Sequence, residues 1–163
     1  MTSDSQTPHI ARAFVEARRA ATPLPDFPGA IPATLDAAYA IQNVAIELAG
    51  QRVVGWKVGR INPPVEGVDR LAGPIFAQQV FAAAATPPAM PIYAGGFGAA
   101  EAEFLLRIGT APAEGQKDFT PDEVHALIDA VHIGIEIASS PFPGINDLGP
   151  TVTIADFGNN NGL

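Results

Sequence analysis

The chain has 163 residues, 47% hydrophobic and 16% charged, a globular balance at a length that suits one domain with a real core. Nine Lys and Arg against seventeen Asp and Glu leave a formal charge of −8, and no basic run is present, which argues against nucleic acid or an anionic membrane as partner. With no cysteine, a disulfide framework and a thiolate metal site are both excluded. The first residues lack the basic and apolar regions of a signal peptide, and no apolar run reaches membrane-spanning length, so a cytoplasmic protein is expected.

Thr7-Pro8 reads as a helix start, with Thr as N-cap, and Ile10, Phe14 and Ala17 follow at helical spacing. Arg12, Glu16, Arg18 and Arg19 fall on the polar side and read as a solvated face. The proline-rich stretch from Thr22 to Pro32 is a loop. A second helix is expected after Thr34, with Leu35, Ala38, Ile41, Ala45 and Leu48 as its apolar stripe and Gly50 as its C-terminal glycine.

Arg52 to Gly59 reads as the first strand. Val54, Trp56 and Val58 share one face, and Val53, Gly55, Lys57 and Gly59 the other. A lysine between two glycines has room for a ligand beside its ammonium group; the plainer reading is a lysine facing solvent. Asn62 to Arg70 reads as a loop, Gly73-Pro74-Ile75-Phe76-Ala77 as a short apolar segment, and Val80 to Ala84 as a brief strand.

Ala100 to Ile108 is the most informative stretch. Alternation puts Glu101 and Glu103 on one face, on the order of 7 Å apart, and Ala102, Phe104, Leu106 and Ile108 on the other, which is expected to be buried. Thr120-Pro121-Asp122-Glu123 is a capping box that starts a helix with Val124, Leu127 and Ile128 turned inward. Val131 to Ala138 is a further strand, carrying His132, Gly134 and Glu136 opposite an aliphatic face. Thr151 to Asp156 reads as a last strand, and Asn161-Gly162 as a hairpin turn whose returning arm would begin at Leu163. That predicts an open edge and a chain cut short.

Three carboxylates on two strands, with no cysteine, suit a hard divalent cation, with Mg²⁺ and Mn²⁺ equally plausible. Zinc is less suited, since only His132 lies on the right face, four residues from Glu136. No phosphate-binding loop is present, and Ser139-Ser140 lacks a nucleophile-elbow context.

Five segments together, Gly55-Trp56-Lys57-Val58-Gly59, Gly73-Pro74-Ile75-Phe76-Ala77, Glu101-Ala102-Glu103-Phe104, Glu136-Ile137 and Ile154-Ala155-Asp156, resemble the 2-keto-4-pentenoate hydratase/2-oxo-hex-3-ene-1,7-dioate decarboxylase family of the fumarylacetoacetate hydrolase superfamily. Leu35 to Gln42 resembles that family's second helix. The resemblance implies an α+β fold, with a helical N-terminal segment over residues 1–50 and an incomplete, β-rich, metal-binding catalytic domain over residues 51–163. It implies Glu101, Glu103 and Glu136 as ligands of Mg²⁺ or Mn²⁺ and Lys57 as the acid/base residue. The activity it implies is that of a hydro-lyase adding water to 2-hydroxypenta-2,4-dienoate or a related 2-oxo acid in the breakdown of aromatic compounds. The alternatives are a 4-oxalocrotonate-type decarboxylase of the same family and an inactive fragment or binding module. The expected partners are the small-molecule substrate and further copies of the chain in a homo-oligomer. Two departures stand out: Leu71-Ala72 occupies a place where many of the hydratases carry an acidic residue, and the family's domain continues past the position of Leu163.

Overall fold

The computed structural model describes residues 3–163, and the side chains from Gln6 onward. Two helices come first, α1 (Ser3–Ala20) and α2 (Leu35–Ala49). Helix α1 begins earlier than Thr7-Pro8 predicts, with Pro8 inside it, while Ile10, Phe14 and Ala17 are buried as their spacing requires. Helix α2 keeps the expected ends. The Thr34 hydroxyl accepts from the Ala37 amide, and Gly50 takes the left-handed conformation (φ 65°) that closes the last turn.

Strands β1 (Val53–Val65) and β2 (Val68–Phe76) form one antiparallel ribbon; β3 (Phe97–Ile108) and β4 (Ile128–Ser140) form another. The expected loop from Asn62 to Arg70 is instead the hairpin joining β1 to β2. Glu66 and Gly67, both at positive φ, make its two-residue turn between Val65 and Val68. Pro63-Pro64 obscures this in the sequence, because prolines interrupt a ladder; they fall where pairing lapses between Arg60 and Val65. No strand forms over Val80 to Ala84. The capped helix α3 (Pro121–Leu127) forms with both capping-box bonds, but no residue of it is buried, so Val124 is not turned inward.

The C-terminal segment departs most from expectation. Thr151 to Asp156 is not a strand but lies largely in a short helix, α4 (Pro150–Ala155), followed by a 3-10 turn over Phe157–Asn159. No hairpin forms at Asn161-Gly162. Residues 160–163 run alongside β4, where the Asn161 amide donates to the Ile137 carbonyl and the Ile137 amide to the Gly162 carbonyl, and alongside the 3-10 turn after β2 (Ala77–Gln79), where the Leu163 amide donates to the Gln79 carbonyl. With no strand over Thr151 to Asp156, the open edge expected there does not arise.

The main core gathers α1, α2, Phe76, Phe142, Ile145 and the C-terminal residues Val152, Ala155 and Phe157. A smaller cluster joins Leu35 and Ala38 to Ile61, Leu71 and Ile154. Alternation along the strands is as expected, but burial is inverted. The face of β1 bearing Gly55, Lys57 and Gly59 turns inward, and Val54, Trp56 and Val58 are exposed. On the second ribbon Phe104 and Ile133 are 77% and 85% exposed. The small-residue faces are the ones the C-terminal segment can approach, so the protein interior forms there.

Candidate metal centre

Strands β3 and β4 pair in a register that sets Glu101 directly opposite Glu136, and Glu103 opposite Gly134. Three carboxylates from two strands thus converge, and one oxygen from each lies within 4.8 Å of the others. Like charges in direct cross-strand register repel, so this pairing is unfavourable without a cation. Oxygens bound to one hard cation at about 2.0–2.6 Å lie no more than about 4–5 Å apart, so the spacing fits.

Burial is graded across the three. Glu136 is buried, Glu101 is half-buried and Glu103 is exposed. Burial pushes the Glu136 carboxyl above the usual carboxylate range; Lys57 opposes that shift, and the charges of Glu101 and Glu103 add to it. Glu136 Oε1 has no hydrogen-bond partner among the described residues, although Lys57 Nζ lies 3.4 Å away. An orphaned, buried carboxylate oxygen facing two further carboxylates is the donor set a divalent cation completes.

Lys57 does not face solvent. Its side chain is 11% exposed, with Nζ donating to Asn159 Oδ1 at 3.1 Å. The space beside Gly55 and Gly59 is taken up by Ile75 and Leu71 of β2. Lys57, Glu103 and Glu136 line one open groove of ≈ 680 Å³, together with Trp56, Phe104 and His132. His132 is exposed and pairs across the ribbon with Leu105; His9 and His125 are also exposed.

Two features of the site were hidden in the sequence. Arg18, expected on a solvated helix face, is buried against Asp156, with Nε on Oδ1 and the terminal nitrogen on Oδ2 at 3.0 Å. Burial works against its charge, but Asp156, with a smaller contribution from Tyr93, offsets that and raises the guanidinium further. Asn159, beside Lys57, sits in a turn that only the tertiary fold brings to β1. A charge-conserving pair 138 residues apart leaves no local pattern to read.

No family model and no curated protein matches the chain. Among solved structures, 4-oxalocrotonate decarboxylase from Pseudomonas putida G7, complexed with magnesium and adipate, matches with a TM-score of 0.68 at 20% identity, over 99% of this chain and 62% of that one. The same enzyme complexed with calcium and acetate gives 0.66 at 20% identity, with the same coverage. The fold is therefore the α+β fold of that decarboxylase. The chain spans less than two thirds of the length of these neighbours. Among the described residues no helix is long and apolar enough to cross a membrane.

Proposed function

We propose that this chain carries the cation site of a metal-dependent lyase of the fumarylacetoacetate hydrolase superfamily, acting on a 2-oxo acid, with decarboxylation of a 4-oxalocrotonate-type substrate as the reaction. One observation carries the reading: Glu101, Glu103 and Glu136 converge within 4.8 Å beside the ammonium of Lys57. Mg²⁺ suits the three oxygen ligands, and the solved neighbours were complexed with magnesium or calcium. Mn²⁺ suits the same ligands.

When bound, the cation supplies Lewis-acid polarisation at the substrate's 2-oxygen. The chain's own residues do the rest. The exposed side of the cluster, at Glu103, leaves the groove open to a small dicarboxylate. The bond to the departing carboxylate breaks, its electron pair moves along the conjugated chain toward the 2-oxygen, and CO₂ leaves. Lys57, already inside the groove wall, places a positive charge near the developing negative charge and holds a proton for the product carbon.

Hydration of 2-hydroxypenta-2,4-dienoate is less well supported than decarboxylation. Leu71, in the stretch where an acid would activate water, is buried in the smaller core cluster. The nearby Asp69 is exposed and paired with Arg70.

Calorimetry with Mg²⁺ tests the site. Wild-type protein is expected to bind, and Glu103→Gln or Glu136→Gln to weaken binding at least about tenfold, the loss of one charged ligand. Unchanged affinity in both variants overturns the three-glutamate proposal. Separate incubations with 2-oxo-hex-3-enedioate and with 2-hydroxypenta-2,4-dienoate distinguish the reactions: CO₂ release from the first supports the decarboxylase, whereas water uptake by the second with no CO₂ from the first restores the hydratase. Metal binding without either identifies a binding module.

A further inference from the structure

We infer that Asn159 is the positioning residue of Lys57, fixing its ammonium between the carboxylate cluster and the groove; the inference rests on the lysine's role proposed above. An ammonium has three donors and no acceptor, so its placement depends on the acceptors around it. One accepts a hydrogen bond, Asn159 Oδ1 at 3.1 Å, while Glu136 Oε1, 3.4 Å away, attracts the ammonium as an ion-pair partner without a hydrogen bond. The other N–H groups have no hydrogen-bond acceptor among the described residues, and Lys57 lines the groove.

The Asn159 amide has one orientation. Because lysine only donates, the amide oxygen must face it, and the amide nitrogen then donates to Asn146 Oδ1 at 3.2 Å. Asn159 is 4% exposed and sits at φ 57°, a left-handed conformation that asparagine tolerates better than most residues. Its backbone N–H donates to the Asp156 carbonyl at 2.9 Å, and Asp156 is itself clamped by Arg18.

The register of the first ribbon explains how this turn reaches Lys57. The cross-strand partner of Lys57 is Gly73, and a Cβ built there would lie 2.0 Å from the Phe157 carbonyl oxygen. A side chain at position 73 would push the turn off the strand. With glycine, the turn lies directly on the lysine's neighbour. Asn159 thus supplies a neutral acceptor from a separate segment. It holds the ammonium without cancelling the negative charge that the cation needs, and against the repulsion a bound cation exerts.

The chain has two lysines, Lys57 and the exposed Lys117, so side-chain NMR of protein labelled at the lysine ε position reads the two apart. In wild-type protein the Lys57 ε-methylene is expected to be ordered and Lys117 mobile. Asn159→Gly, which suits the left-handed turn but removes the acceptor, is expected to drop the Lys57 order parameter by about half or more, from rigid toward flexible values. Asn159→Asp, which restores an acceptor oxygen, is expected to keep it ordered. An ordered Lys57 in Asn159→Gly overturns the inference. So does equal disorder in Asn159→Asp, since the turn rather than the acceptor would then be responsible. In turnover, kcat of Asn159→Gly is expected to fall up to about a hundredfold with KM nearly unchanged, the signature of a misplaced group; a matching rise in KM counts against positioning. The NMR reading needs neither cation nor turnover, so it stands even if calorimetry overturns the proposed function.

Discussion

Glu136 carries two opposed demands. As a ligand it must be ionised, yet burial holds its carboxyl above the usual range, so the charged form is disfavoured in the metal-free protein. A carboxyl raised in the folded state contributes stability that is present below the ordinary carboxylate range and lost as pH rises through the raised value. Metal-free Glu136→Gln is therefore expected to melt above wild type at neutral pH, with the gap closing as the pH falls toward that range. Excess Mg²⁺ should reverse the order by stabilising wild type alone. Thermal melts of both proteins across pH, with and without Mg²⁺, check this, and a gap independent of pH would contradict it. Alternation was enough to place Glu101 with Glu103, and Glu136 among small residues on its own strand. The register setting Glu101 against Glu136 was not legible, because pairing between strands so far apart in sequence is decided by packing. The same is true of Asn159, whose partner Lys57 lies 102 residues away.

At the level of elements, the readings that succeeded rest on local chemistry. The caps of α2 and α3 are hydrogen bonds between near neighbours, and they form as the residues dictate. The failures involve segments whose surroundings replace local preference. Thr151 to Ile154 are four β-branched residues in a row, as in a strand, yet Val152, Thr153, Ile154 and Ala155 are all buried, and a segment covered on every side shows no period to choose helix from strand. Gly149-Pro150, with proline at the first helical turn, was the local signal for helix α4. Gly162 is likewise not a hairpin residue: a Cβ there would meet the Gln79 carbonyl oxygen at 2.8 Å, so glycine serves close approach. The corresponding constraint at Gly73 is testable. Gly73→Ala must move either β2 or the turn bearing Asn159, and is expected to cost about 1–3 kcal/mol, the range for forcing extra atoms into a packed interior. The urea midpoint should fall with little change in slope. An unchanged midpoint would show that the turn yields freely.

Across the whole molecule, the buried pair of Arg18 and Asp156 ties the first helix to the C-terminal turn that positions the site. The Asp156 side chain has no solvent exposure, and both of its carboxylate oxygens accept from Arg18. Removing the guanidinium alone is expected to cost about 3–5 kcal/mol, while replacing both charges with apolar residues should recover much of that loss. Denaturation of Arg18→Met and of Arg18→Met with Asp156→Leu makes the comparison, and equal losses would mean that packing, not charge, dominates. The strand faces present the opposite situation. Phe104, Leu106, Val131, Ile133 and Ile135 form an apolar surface with no covering element among the described residues, where the sequence led us to expect a buried face. Alternation reports which residues share a face; what covers that face depends on tertiary contacts alone. An exposed patch of this kind binds apolar dyes without unfolding. Native protein is therefore expected to enhance the fluorescence of such a dye in the absence of denaturant. Phe104→Ser with Ile133→Ser should lower that signal while changing stability by no more than about 0.5 kcal/mol per site, as for exposed positions. If the two substitutions instead unfold the protein, the faces are covered in solution, by another copy or another segment, and sedimentation at rising concentration separates those two: association that weakens in the double variant identifies another copy.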